Sequence, residues 1–489
     1  MTCAFARWTC ARAWARPCAR WRPQPFRTPG RLPRIGSPAC SPFAPLTIRR
    51  ALLILRACTT RRPIGCARYP NWSSWATTMR IGSSLSRWWP QANELRTFEM
   101  TKRHPDTELV HAGEGVTSAA TPVTTPIYSS STFRFASAAE LEAYQQGRSK
   151  SFIYSRYANP TVMAVEAKLA AAEGGEAAML LSSGMAATST ALFGLLRSGD
   201  EVICSAAIYG GTLQVLSSFL DRFGIRARFV SMDQLGALES LIGPSTKVVW
   251  FESPTNPTLR CADIAVVAAA CRAKGVVSIV DNTFASPVNQ QPLALGADMV
   301  MHSATKYLNG HSDVTAGALV SSKALIDRVM PARKLLGGVL EPASAYALGR
   351  GMKTLGVRIA RHNANALTIA RWLETHSGVS RVCYPGLESH PDHDIARKQM
   401  RGFGGMVCFE CRDGQDGAVR FFDRIALIQR AASLGGIESL CSLPVLTSQY
   451  GLSNDQLAEA GVTSGMVRLS VGLEDSDDLI ADLRQALGS

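Results

Sequence analysis

From about residue 160 the chain alternates short, continuous apolar runs with longer stretches of helical period. "AMLL", "EVIC", "RARFV", "KVVWF", "VVSIVD" and "ADMVM" are apolar over a strand's length. Between them lie "PTVMAVEAKLAAAEGG", "SSGMAATSTALFGLL", "YGGTLQVLSSFLDRF" and "ADIAVVAAACRAKG". A run with no polar face cannot lie against water. The pattern therefore predicts strands buried on both sides, in a parallel or mixed sheet covered by helices. Pro160 reads as a helix start and the Gly-Gly pair after Glu173 as its end. A large α/β domain is expected over residues 159–340. After Pro342 a long helical stretch, roughly 343–376, leads into "RVCYPG", "GGMVCFEC", "MVRLSVGLED" and a closing helix. Helices and strands segregate there, which predicts a smaller α+β domain over 341–489. Residues 101–158 have little regular period, with Pro122, Pro126 and a Ser/Thr-rich run, and are expected to form an arm packing on another subunit. The sequence carries no internal repeat and no membrane segment.

Charge changes this picture at one end only. The formal charge of +14 suggests a nucleic-acid or membrane binder until it is divided along the chain. Residues 1–100 hold 17 Arg, no Lys and two acids, leaving 35 of the 52 basic and 36 of the 38 acidic residues for the rest. The same hundred residues carry six of the 13 Cys and seven of the nine Trp, with no steady period. No apolar stretch is long enough for a secretory signal, and the Cys spacings match no metal or disulfide pattern. The segment is expected to be a disordered extension with no folded role, an organelle leader or sequence upstream of a natural beginning at Met100. Neither nucleic-acid nor membrane binding is expected of the remainder. The other seven Cys are scattered, which fits reduced thiols in a cytoplasmic enzyme with no metal site.

Chemistry gathers where strands end. In "LLSSGMAA" a strand runs into Gly184 and Met185 at a helix start, where outward N–H groups suit an anion, although many such turns bind nothing. Asp281 closes "VVSIVD"; it reads equally as a helix cap, an ion pair or the partner of a protonated pyridine nitrogen. Lys306, in "HSATKYLNGHSD", follows the run "ADMVM". A lysine there can be a surface residue, but lysine also forms Schiff bases, and Ser303 and Thr305 stand beside it as phosphate donors. An acid, a lysine and a Gly-rich helix start at three strand ends together describe a pyridoxal-phosphate site.

The motifs "YSRYANPT", "SSGMAA", "YGGT", "ESPTNPT", "VDNTFASP", "HSATKYLNGHSDV", "SLGGIESL" and "VRLSVGLED" resemble, in order and spacing, the Cys/Met-metabolism family of fold-type-I PLP-dependent enzymes. The likeness covers nearly all of 103–489. It implies a seven-stranded, mostly parallel large domain and a homo-oligomer of active dimers, typically a tetramer. It implies that Lys306 holds the cofactor and shuttles protons, that Asp281 pairs with the ring nitrogen, and that Tyr209 stacks on the ring and acts as an acid. Asn256 is implied near the ring's phenolic oxygen, and Gly184, Met185, Ser303 and Thr305 around the phosphate. Tyr154 and Arg156 are implied to reach that phosphate from the neighbouring subunit, and Ser433 and Arg468 to hold the substrate's carboxylate. His302 and His311 are taken as structural.

The implied activity is γ-elimination or γ-replacement on cystathionine, homoserine-ester or methionine-type substrates. A β-lyase or O-acetylhomoserine sulfhydrylase stands as the alternative and an aminotransferase as a remote one. Two positions depart from the cystathionine enzymes, Ala432 where an acid is common and Gln214 where an arginine is. Gly211 stands where methionine γ-lyases usually have a cysteine.

Overall fold

A computed structural model describes residues 104–113 and 122–488. The Arg-rich segment 1–100 and its expected lack of a folded role lie outside the described residues.

Seven strands form the first sheet: β1 (Ala177–Leu181), β2 (Glu201–Ser205), β3 (Arg226–Val230), β4 (Thr246–Glu252), β5 (Val277–Asp281), β6 (Met299–His302) and β7 (Gly317–Ser321). Their order is β1-β7-β6-β5-β4-β2-β3. The pairs from β6 through β3 are parallel, and β7 runs antiparallel to both its neighbours. Helices cover both faces, so the central residues of strands such as β4 and β7 are apolar; Val249, Trp250, Phe251 and Leu319 are fully buried. Helix Pro160–Glu173 starts on its proline, capped by the Asn159 side chain, and stops at Gly174 in the left-handed region (φ 72°). Helix Gly184–Leu195 is capped by Ser183, whose hydroxyl accepts from the Ala186 N–H at 3.0 Å.

The sequence pattern and the structure part at three places. The long helical stretch expected over roughly 343–376 is two helices, Pro342–Met352 and Leu355–Glu374. The Gly351 carbonyl is taken by Arg358 Nη2 (2.8 Å) and Thr354 Oγ1 (3.1 Å). Gly351 also lies so close to Asn309 that a Cβ would sit 2.2 Å from its carbonyl oxygen, so this turn is fixed by packing rather than propensity. The stretch after "YGGT" is not one α-helix either: an α-turn Gly210–Gln214 widens to a π-turn over Val215–Phe219 and tightens to 3-10 geometry over Leu220–Phe223. Third, the aperiodic 101–158 contains two helices, Pro105–His111 and Ala138–Gln145. The first packs on its own chain: Leu109 is buried, and Lys168 Nζ takes the Leu109 carbonyl at 2.9 Å.

A second sheet holds β8 (Val379–Cys383), β9 (Met406–Cys411), β10 (Gln429–Arg430), β11 (Leu440–Ser442) and β12 (Met466–Ser470), in the order β10-β11-β12-β9-β8. Helices Leu355–Glu374, Gly414–Arg424 and Ser476–Leu487 cover it, with Phe409 edge-on to Phe421 at 5.3 Å in the core. All seven described cysteines are buried and unpaired. Among the described residues no cluster of His, Cys, Asp and Glu could hold a metal ion, and no helix is long and apolar enough to cross a membrane.

Candidate active site

Parallel strands leave their carboxyl ends side by side, and here β4, β5 and β6 end on Glu252, Asp281 and His302. A cavity of about 580 Å³ opens above them. Of the twelve residues named from the sequence, ten line it: Gly184, Met185, Tyr209, Asn256, Asp281, Ser303, Thr305, Lys306, Ser433 and Arg468.

Asp281 is buried. Its Oδ1 accepts from the Thr283 hydroxyl at 2.5 Å and the Thr283 N–H at 3.0 Å, and the Ser303 N–H in turn donates to Thr283 Oγ1 at 2.8 Å. Burial pushes the carboxyl above its usual range, while the Thr283 bonds and the His302 ring draw it back. A cation beside it reverses the burial effect, because opposite charge favours the carboxylate. His302 turns away from the cavity and meets Glu173 at 2.5 Å, both fully enclosed, and His311 Nδ1 lies 2.7 Å from the Asn309 carbonyl oxygen.

The backbone at Gly184 passes tightly by β6's end: a Cβ there would lie 3.0 Å from the Ser303 side chain. Hence a glycine is needed for the helix start to face Ser303. Thr305 also lines the cavity. Its hydroxyl donates to the Ala316 carbonyl (3.1 Å) and accepts the Ala316 N–H (2.9 Å), closing the loop between Lys306 and β7.

Lys306 Nζ donates to Ser433 Oγ at 2.6 Å. Burial pushes this amine down to about 8, with the Arg468 guanidinium adding to the shift. Ser433 has φ 105°, a conformation costing a non-glycine residue on the order of 1–3 kcal/mol and typical of functional loops. Arg468, on β12, is buried; its Nη1 donates to Asn256 Oδ1 at 2.9 Å and its Nη2 to the Ser433 carbonyl at 3.2 Å.

Tyr154 and Arg156, expected to act on a neighbouring subunit's site, lie outside the cavity of their own chain. Arg156 Nη1 donates to the Lys334 carbonyl at 2.7 Å, and its guanidinium lies 4.8 Å from the Tyr157 ring centre; Tyr154 is 41% exposed. Neither lines the cavity, whose cations among the described residues are Lys306 and Arg468.

The sequence reading missed Glu252, Thr283 and Thr315, which also line the cavity. Glu252 was within sight as the first letter of "ESPTNPT", at the end of an apolar run just as Asp281 is. A smaller space of about 320 Å³ adjoins the cavity, sharing Tyr209, Thr447 and Ser448, and no charged residue lines it; Gly211 and Gln214 do.

Comparison with known proteins places this geometry. Residues 106–488 match the model of the Cys/Met metabolism PLP-dependent enzymes. L-methionine gamma-lyase of Pseudomonas putida is 44% identical over 383 residues, covering 78% of this chain and 96% of the relative. Cystathionine gamma-synthase of Mycobacterium bovis is 43% identical over 397 residues, covering 81% and 100%. The crystal structure of metB from Corynebacterium glutamicum superposes with a TM-score of 0.74 at 38% identity, covering 79% of this chain and 98% of that one. Each relative is matched almost end to end, and the chain belongs to the Cys/Met metabolism PLP-dependent enzymes.

Proposed function

We propose that the protein catalyses γ-elimination or γ-replacement on sulfur amino acids, and that the ten cavity residues together with Tyr154 and Arg156 carry it. The observation that carries this reading is the pairing of a half-buried amine near pKa 8, Lys306, with a buried guanidinium, Arg468, across one loop residue, Ser433. One group can move protons at neutral pH; the other can hold a carboxylate.

The residues present fit pyridoxal phosphate. Asp281 suits a ring-nitrogen cation, the Gly184 cradle and Ser303 suit a phosphate, and Lys306 suits an aldehyde carbon. When bound, the cofactor supplies an electron sink for the bond broken at the substrate's Cα. Arg468, held in plane by Asn256, binds the α-carboxylate and presents Cα to Lys306. Lys306, positioned by Ser433 Oγ, takes the Cα proton and then reaches Cβ. Tyr209, on the cavity wall, would cover the ring face, and its hydroxyl would give a proton to the group leaving Cγ. β-Elimination uses only the first of these proton transfers, so the same residues support it as the alternative.

The uncharged adjoining space, with Ala432 on the cavity wall, favours substrates whose far end is neutral, such as methionine, homocysteine or O-acetylhomoserine. The cytoplasmic assignment rests on the seven unpaired cysteines. The homo-oligomer rests on a cavity whose lining cations, among the described residues, are Lys306 and Arg468, with none beside the Gly184 cradle.

Product analysis tests the reading. Holoenzyme is given cystathionine, methionine, and O-acetyl- or O-succinylhomoserine with cysteine. Ammonia and 2-oxobutanoate, or a new thioether, are the expected products. Pyruvate, homocysteine and ammonia from cystathionine, without 2-oxobutanoate, assign the β-lyase reaction, and amino-group transfer to a keto-acid acceptor overturns the reading.

A further inference from the structure

Glu252 is a buried acid that the proton transfers above do not use. It ends β4 directly opposite Asp281 across the parallel β4–β5 pairing, lines the cavity, and is only 4% exposed. Burying a carboxyl without a cation is costly unless its oxygens are bonded. Its bonds go to backbone N–H groups instead: Tyr209 N–H reaches Oε1 at 2.6 Å and Asn256 N–H reaches Oε2 at 3.3 Å. Burial, with the Asp281 carboxyl adding, pushes its pKa well up, while the Tyr209 and Asn256 N–H bonds draw it back.

The two N–H groups belong to different loops and lead to opposite walls of the cavity. Tyr209 enters the turn Gly210–Gln214 and presents its ring, 46% exposed, at the mouth. Asn256 accepts from Arg468, Arg468 donates to the Ser433 carbonyl, and Ser433 accepts from Lys306. One carboxyl thus joins the tyrosine loop to a continuous path that ends on the lysine.

We propose that Glu252 is a positioning residue: it clamps the Tyr209 loop to the Asn256 turn and so sets the spacing between the tyrosine and the arginine that holds the substrate's carboxylate. This rests on the reading of Tyr209 and Arg468 given above.

The test uses holoenzyme carrying Glu252→Gln, Glu252→Ala, Asn256→Ala, the two double variants and, for the underlying reading, Arg468→Lys. A glutamine accepts one of the two N–H groups and an alanine neither. The expected order of kcat/KM is therefore wild type, Glu252→Gln, Glu252→Ala, with a loss of roughly tenfold or more in the last, carried mainly by KM. In the Asn256→Ala background the Glu252 substitutions should change KM by less than about twofold, because that route to Arg468 is already cut. The circular dichroism of the bound cofactor should shift in Glu252→Ala, reporting a displaced Tyr209 ring. If Glu252→Ala fails to fold, Glu252→Gln decides by the same cycle. Wild-type KM in the folded Glu252 variants, or KM effects that simply add, overturn the clamp. Wild-type turnover with Arg468→Lys leaving KM unchanged overturns the underlying reading instead, so the two failures are distinct.

Discussion

The strand-end floor of the site and the arm around Tyr154 and Arg156 make an instructive contrast. The floor is closed in: Asp281, Asn256 and Arg468 are each under a tenth exposed, and every one is bonded to a neighbour within its own chain. The arm residues lie outside the cavity, Arg156 bonded to a backbone carbonyl at the end of helix Lys323–Leu336 and Tyr154 open to solvent. Beside them Leu335 and Leu336 are 83% and 61% exposed. A floor built on strand ends is positioned by the sheet and needs no partner. An arginine outside the cavity beside bare leucines is what the proposed homo-oligomer would cover.

The largest effect should come from the floor. Lys306→Ala removes the only amine lining the cavity among the described residues, and turnover is expected to fall by about 10³-fold or more. The visible absorbance of the bound cofactor should change with it, and retained turnover would break the assignment of the base. Next comes the arm. Arg156→Ala is expected to weaken cofactor binding by roughly 10- to 100-fold, the loss of a charge-assisted contact to a phosphate. The contrast itself is tested by mixing. If each site combines its own Lys306 with a partner's Arg156, hybrids of Lys306→Ala and Arg156→Ala subunits regain one good site per mixed dimer, about a quarter of full activity after random reassortment. If both residues serve their own chain, mixing restores nothing.

Much of the floor was legible because its parts repeat one rule. A continuous apolar run ending in a chemically capable residue marks a strand end, and "VVSIVD" and "ADMVMHSATK" both obey it. The same rule applied to "KVVWFE" points to Glu252, yet that residue passed as the start of a motif known for its asparagine. Its partners could not have been read: the Tyr209 N–H comes from a loop 43 residues earlier, and only the β2-β4-β5 strand order brings the two together. The break between Met352 and Leu355 was illegible for a related reason. Helical period runs through it unbroken, and what stops the helix is the Gly351 carbonyl being claimed by Arg358 and Thr354. Propensity and period are local, whereas both misses are decided by contacts made across the fold.

Two smaller effects sharpen the account of the floor. Arg468→Lys keeps the charge but loses the fork that bonds Asn256 and Ser433 together, so KM for the amino acid should rise by about tenfold with kcat changed less. The smallest concerns Lys306 alone. Its pKa in the folded chain is pushed down to about 8 from the ordinary 10.5. The neutral amine is the nucleophile toward an aldehyde, so the rate at which cofactor-free protein takes up pyridoxal phosphate should climb as pH rises toward 8 and level off above it. Between pH 7 and 8 the gain is roughly fivefold, the change in neutral fraction for a group titrating there. Stability of the cofactor-free protein follows the same sign. A lysine with a depressed pKa contributes fully above its unfolded value, and that contribution is lost as pH falls through about 8. Ser433→Ala removes the hydroxyl that accepts from Nζ but neither the burial nor Arg468, and these are the two named causes of the depression. The midpoint of the uptake profile should therefore stay near 8 in that variant, and a return toward the ordinary lysine range would show that the hydroxyl, and not the closed floor, keeps the amine neutral.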